Sequence, residues 1–248
     1  MTYNFTVSPD FGPEHLAGWY VFNTWMQRVL ETGMHLEIYS DFNSQRRAID
    51  TGKVDLIYAN PYDASMLIRE KGFVPLARPK GKSDEAVIAT SAGNGVEAIE
   101  DLEPGISVAT TDDPDVHMMG MIMLEPADLN AYNIRLVTCD NYILVAKKLM
   151  NGECQAGIFL AEAIHDLSSM VRSRLNVLVS SEIQVVHHSL MLGPRLVDHR
   201  DRLSEALLGM SYDEKGRGVL KALGFTEWEP VDQEAMEFMI DLMDTLMV

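Results

Sequence analysis

Residues 48–58 read Ala48-Ile49-Asp50-Thr51-Gly52-Lys53-Val54-Asp55-Leu56-Ile57-Tyr58, and a hundred residues later comes Lys148-Leu149-Met150-Asn151-Gly152-Glu153-Cys154-Gln155-Ala156-Gly157-Ile158. Each stretch is the end of a helical pattern, a glycine that stops it, a polar pair and an apolar strand-like run. Glycine suits the stop because a helix C-terminus favours the left-handed backbone conformation that other residues avoid. One such junction is common in α/β chains, but the order of elements also restarts near residue 86. The repetition predicts two similar α/β lobes.

Outward from these stretches, strand-like runs and helical patterns alternate. Phe5-Thr6-Val7 reads as a strand, and residues 14–30 place Leu16, Trp19, Tyr20, Phe22, Trp25, Met26, Val29 and Leu30 at helical spacing. Leu36 to Tyr39 is a strand, and Asp41 or Ser44 is placed to cap the helix that Gly52 ends. After Val54 to Tyr58, Asn60-Pro61 opens a helix over 62–71, Gly72 stops it, and Val74 to Ala77 follows. The second round runs through Ala86–Thr90, Ile106–Ala109, a helix from Asp113-Pro114 to Leu124, Ile134–Thr138 and a helix over 141–150. Beyond Val177–Val179 come an apolar run, Val185 to Leu192, and then only helical patterns. The last, over 231–247, gathers Met236, Met239, Ile240, Met243, Leu246 and Met247 on one face. Alternation of this kind predicts an α/β fold with mostly parallel sheets.

Composition limits the partners. The 248 residues carry 20 Lys and Arg against 37 Asp and Glu, a net charge of −17. Such acidity excludes a phosphate-neutralising nucleic-acid face and a basic lipid-docking patch. Hydrophobic residues make up 47% and charged residues 23%, as expected of a folded globular chain. No stretch approaches the ~20 apolar residues of a membrane span, so no membrane insertion is expected. The start, Met1-Thr2-Tyr3-Asn4-Phe5, lacks the basic and apolar regions of a signal peptide. The expected location is periplasmic if a leader has been removed ahead of Met1, and cytoplasmic if Met1 is the native start. Cys139 and Cys154 fall at opposite ends of presumed parallel strands and are expected to be free thiols.

Several motifs together resemble a known family, the phosphonate- and phosphite-type periplasmic solute-binding proteins of ABC importers. They are Ser8-Pro9 with Trp19, Gly52-Lys53-Val54-Asp55, Asp101-Leu102-Glu103-Pro104-Gly105-Ile106-Ser107-Val108, Asp113-Pro114, Gly152-Glu153-Cys154-Gln155-Ala156, Leu203 to Leu208 and Leu220 to Gly224. The resemblance implies a type II periplasmic binding protein fold, with two lobes joined by a two-segment hinge and a ligand in the cleft between them. Residues 1–84 plus 190–248 would form the first lobe and 85–189 the second, with hinges near Lys80 to Glu85 and Gln184 to Ser189. In the family a Ser-Thr-Ser-Gly type run follows the Asp-Pro at a helix N-terminus and holds the phosphonate oxygens. Here the run is Asp115-Val116-His117-Met118, and the family's second-lobe histidine falls on Tyr142. A carboxylate near that position repels an oxyanion, so a ligand different from a phosphonate is expected.

Strand ends nominate Asp10, Phe11, Asp41, Asn60, Tyr62, Asp115, His117, Asn141, Tyr142 and Glu162 as ligand-binding residues. This set is rich in carboxylates and aromatics and points to a neutral or cationic solute. The competing reading of each Asp is a helix cap favoured by the dipole. His117-Met118-Met119-Gly120-Met121-Ile122-Met123 invites a Cu(I) site, but a helix apolar all round is a buried one, and Met fills cores. Adjacent His187 and His188 on a strand-like run point to opposite faces and cannot share a metal, and one of them is expected to reach the hinge or cleft, with an ordinary hydrogen-bonded histidine as the competing reading. No Cys-x-x-Cys, His-x-x-x-His, glycine-rich phosphate loop or Gly-x-Ser-x-Gly elbow is present. No cofactor, metal or catalytic residue is therefore expected. The expected protein is a solute-binding monomer that closes around a small molecule and works with an ABC permease or a signalling partner. The alternatives are a cytoplasmic ligand sensor of the same fold, or an enzyme (a lyase or transferase) on this scaffold.

Overall fold

The computed structural model describes residues 2–246; Met1, Met247 and Val248 lie outside the described residues, and with them the last methionine of the expected 231–247 stripe. In chain order the elements are β1 (Thr2–Val7), α1 (Leu16–Leu30), β2 (Gly33–Glu37), α2 (Phe42–Asp50), β3 (Leu56–Ala59), β4 (Val74–Pro79) and β5 (Ala86–Ser91). Then follow β6 (Ser107–Thr110), α3 (Pro114–Met123), β7 (Arg135–Thr138), α4 (Tyr142–Met150), β8 (Ala156–Leu160), α5 (Ala161–Asp166), α6 (Ser169–Arg172) and β9 (Leu175–Ser180). The last are β10 (Ser189–Leu192), α7 (Arg200–Leu208), α8 (Glu214–Ala222), β11 (Trp228–Pro230) and α9 (Gln233–Leu246). None of the described helices is long and apolar enough to cross a membrane.

The chain divides into two compact units, Met1–Lys82 with His187–Leu242, and Ser83–Val186 with Met243–Val248. Each is built on one sheet. The first has the order β11-β4-β10-β3-β1-β2 and the second β7-β6-β8-β5-β9. Within them β2-β1-β3 and β7-β6-β8 are parallel, as the alternation predicts. Each sheet then continues antiparallel, through β10 in the first and β5 in the second. The sheets are thus mixed. Local alternation reports crossovers between successive strands but not the direction of a strand that arrives from a distant segment.

Three local expectations change. Of the run Val185–Leu192 only Ser189–Leu192 forms a strand. The helix expected over 62–71 is a 3-10 turn, Pro61–Asp63, running on to a π-helical turn, Met66–Glu70. The short strand β11 interrupts the helical C-terminal region. It pairs antiparallel with β4, Trp228 opposite Pro79, a long-range contact with no local signal.

The hundred-residue repeat is physical as well as textual. Asp41 and Asn141 cap α2 and α4 in the same way, accepting from Ser44 N at 2.8 Å and Leu144 N at 3.0 Å. Gly52 and Gly152 both end their helices at positive φ, 68° and 71°. Asp55 and Gln155, after the polar pair, each accept a backbone N–H from the neighbouring parallel strand: Asn4 N to Asp55 Oδ2 and Ser107 N to Gln155 Oε1, both 2.9 Å. Asp55 is buried and also pairs with Arg195 at 3.1 Å. These side chains stitch the amino-terminal ends of the strands, alongside the backbone bonds Asp55 N to Asn4 O and Gln155 N to Ser107 O, both 2.9 Å.

The first core packs Phe5, Trp19, Phe22, Leu56, Tyr58, Leu190, Leu192 and Trp228 on one face of its sheet. The second gathers Val87, Ala109, Val145, Leu149 and Phe159, with both cysteines buried and free beside them. Strands β3, β6 and β10 are buried along their whole length, because helices or loops cover both faces.

Two predictions follow from this packing. In α1, Gly18 faces α8 so closely that a Cβ would stand 2.2 Å from the Ala222 carbonyl oxygen. Helix propensity favours Gly18→Ala by about 1 kcal/mol, but a clash with backbone forces helices apart and costs roughly 1–3 kcal/mol or more. Net destabilisation is expected in urea unfolding; a raised midpoint would show that α1 and α8 are not in this contact. His187 is buried, with its Nδ1 3.0 Å from Ser189 Oγ. Burial, reinforced by Arg78, lowers its pKa from 6.5 to about 4. Between those values the unfolded chain takes up a proton that the folded one refuses, so stability is complete above about pH 6.5 and falls as pH drops through the window. The loss from about pH 7 to about pH 5 is on the order of 2 kcal/mol, and His187→Gln is expected to remove it from the pH dependence of the urea midpoint.

Candidate functional site

In the first unit the carboxyl ends of β1 and β3 lie side by side, and β10 begins there because it runs the other way. Ser8 N donates to Tyr58 O at 2.8 Å, extending the β1–β3 pairing one residue past the strand. The register places Ser189 opposite Ala59, so His188 enters beside Asn60. Asp10 follows in the turn after β1. Its Oδ2 accepts from Asn60 Nδ2 at 2.6 Å and lies 3.0 Å from His188 Nε2. Burial opposes ionisation of Asp10, yet the His188 charge, with hydrogen bonding from His188 and Asn60 and the nearby Ser8 hydroxyl, holds its carboxyl below the usual carboxylate range. The His188 ring stacks on Tyr58, centroids 5.3 Å apart, and Tyr58 in turn packs on Trp19 at 4.8 Å.

The other nominated residues of this unit have varied roles. Asn60 also caps the following turn, its Oδ1 accepting from Tyr62 N at 2.8 Å. Phe11 is half-buried against the core. Tyr62 is partly exposed, and one face of its ring carries the Arg46 guanidinium at 5.2 Å. Arg46 also lies over Phe42 at 5.4 Å and pairs through Nε with buried Asp63 at 2.6 Å. Burial raises the Asp63 pKa despite that partner. Asp41 is engaged as the α2 cap, and hydrogen bonds from Ser44 lower its pKa.

In the second unit the matching edge is the end of β6 and the start of α3. Asp113 is the residue before the first turn of α3, yet its side chain makes no capping bond. Instead Asp113 Oδ2 accepts from Tyr142 Oη at 3.0 Å. Asp115 is fully buried in the first turn of the same helix. Burial, with the Asp113 and Asp115 charges, raises the Tyr142 pKa well above its ordinary value of 10.0, so the phenol stays a hydrogen-bond donor. Its ring stacks on Phe159 at 6.1 Å. His117 lies one turn along α3, half-buried, and burial lowers its pKa. Asn141 is used as the α4 cap. Glu162 is exposed in the first turn of α5.

The structure thus joins Asp10 to Asn60 directly and brings Tyr142 under the influence of Asp115. Asp41 and Asn141 act as caps. The nominated set leaves out Tyr58, Asp113 and Arg46, and His188 enters the sequence reading only as one of a histidine pair of which one is expected to reach the hinge or cleft. A signal existed for Arg46, four residues after Phe42 on one helix face, and for Asp113, in the position before Pro114. For His188 the adjacent pair shows only that one ring is expected to reach the hinge or cleft; which one, and its meeting with Asp10, depends on the antiparallel register of β10.

The chain is similar in fold to a Prochlorococcus marinus protein in complex with methylphosphonate, with 10% identity, a TM-score of 0.83 and coverage of 99% of this chain and 98% of that one. It is also similar to a binding-protein component of an ABC phosphonate transporter from Pseudomonas aeruginosa, with 13% identity, a TM-score of 0.76 and coverage of 99% and 87%. The periplasmic aliphatic sulphonate-binding protein of Escherichia coli follows, with 13% identity, a TM-score of 0.68 and coverage of 98% and 91%. No curated protein matches the chain. The family model described as ABC transporter, phosphonate, periplasmic substrate-binding protein matches residues 5–236. With the type II fold and the strand-edge clusters in place, the chain belongs to the periplasmic substrate-binding proteins of phosphonate-type ABC transporters.

Proposed function

We infer that this chain is a solute receptor that binds without chemistry and delivers its ligand to an ABC permease, acting as a monomer. Its ligand contacts are the strand-edge residues Asp10, Phe11, Asn60 and Tyr62 in one unit and Asp115, His117 and Tyr142 in the other. Its solute differs from the methylphosphonate held by the Prochlorococcus marinus relative. The observation that carries this reading is the Tyr142–Asp113 bond at the start of α3. A free helix N-terminus attracts an oxyanion through its unsatisfied N–H groups and its dipole. Here Asp113 and Asp115 set two carboxylates at that terminus, and Tyr142, protonated, contributes no positive charge. An oxyanion brought there meets like charge in a poorly hydrated place, where repulsion is weakly screened.

Thermal unfolding across phosphonates, phosphite, polyamines, quaternary amines and amino acids tests both parts. A cognate solute at about a hundredfold excess over its Kd adds roughly 2.7 kcal/mol and raises the Tm of a chain this size by about 5–10 °C. Methylphosphonate is expected to leave the Tm unchanged; a rise of that size would overturn the altered-ligand reading. Tyr142→Phe keeps the ring and removes the hydroxyl. It is expected to weaken the cognate solute about tenfold, and an unaltered Kd by titration calorimetry would remove Tyr142 from the site.

A further inference from the structure

Asp10 stands out in the first unit because its bonds are one-sided. The contacts from Asn60 Nδ2 and His188 Nε2 both fall on Oδ2, at 2.6 and 3.0 Å. A carboxylate has roughly four acceptor positions over its two oxygens, so Oδ1 keeps most of its capacity. Beside it is Ser8, fully buried, whose Oγ acts on the Asp10 carboxylate and has no other partner among the described residues, so its lone pairs can still accept a donor. Beside these oxygens the His188 ring stacks on Tyr58, which packs at a tilt on Trp19. Such packed rings exclude water and strengthen any charge-assisted bond made next to them.

We propose that this strand edge is a recognition site for a protonated amine, whose ammonium N–H groups donate to Asp10 Oδ1 and Ser8 Oγ. This proposal deepens the receptor reading and rests on it. The complementarity is one of type and sign. The oxygens face the solute as acceptors, and the His188 N–H that would otherwise offer a donor points at Asp10. Asp10 is held in its ionised form and supplies the negative charge that an ammonium meets. A quaternary ammonium fits poorly, since it has no N–H for either oxygen.

Separate arms of one thermal-unfolding experiment on the full chain use putrescine, ethanolamine, choline, methylphosphonate and magnesium chloride, with titration calorimetry on whichever probe responds. Putrescine or ethanolamine is expected to raise the Tm by about 5 °C or more at large excess; choline, methylphosphonate and magnesium are expected to leave it in place. Asp10→Asn is expected to weaken the amine by at least about tenfold, through loss of a charge-assisted bond. Ser8→Ala removes the second acceptor, so it should weaken the amine as well. Unaltered amine affinity in both variants overturns the proposal. A response to choline, methylphosphonate or magnesium with silence from the primary amines also overturns it, while leaving the receptor reading standing. Silence from every probe, together with silence across the wider solute panel, overturns both.

Discussion

A carboxylate removed from water has to be surrounded by donors or opposite charge, or it does not stay ionised. In the first unit Asp10 meets that condition by drawing on segments far apart in sequence. Asn60 comes from the end of β3 and His188 from the approach to β10. This arrangement works only if β10 runs antiparallel against β3, with Ser189 opposite Ala59. The candidate ligand edge therefore depends on how the late part of the chain returns to the early sheet. Tyr58 couples the edge to the core, since it stacks on His188 and packs on Trp19.

The second unit repeats the scaffold and changes its chemistry. The hundred-residue offset that pairs Asp41 with Asn141, Gly52 with Gly152 and Asp55 with Gln155 also pairs Phe42 with Tyr142. The first three pairs keep their structural work, which is to cap, to turn and to stitch. At the fourth, a ring that carries a guanidinium in the first unit becomes a phenol bonded to a carboxylate in the second. Positions that hold the fold together are thus alike in the two units, while a position facing the strand ends has diverged. That is the pattern expected where a shared framework carries different contacts.

The charge of −17 acquires two meanings when placed on the structure. Residues 226–248 hold seven acids and no Lys or Arg. Of these, Glu237 and Asp241 on α9 pair with Arg69 at the protein surface. Exposed pairs of that kind contribute little to stability, and their main effect is solubility. Asp10, Asp113 and Asp115 sit at strand and helix ends with little or no exposure, where a carboxylate costs more to keep and so constrains what can approach.

The sequence by itself determined the two-unit α/β plan, the parallel half of each sheet, the caps at Asp41 and Asn141, and the glycine stops, because all of these are written in local spacing and backbone preference. The family motifs added the type II fold. Asp10 and Asn60 were legible as strand-end residues, although nothing local shows that they bond to each other. The direction of β10, the pairing of β11 with β4, the arrival of His188 at Asp10 and the diversion of Asp113 from capping to Tyr142 were decided by tertiary structure alone. Each is a contact between residues far apart in the chain, and its energy comes from burying and pairing groups whose partners no local pattern specifies.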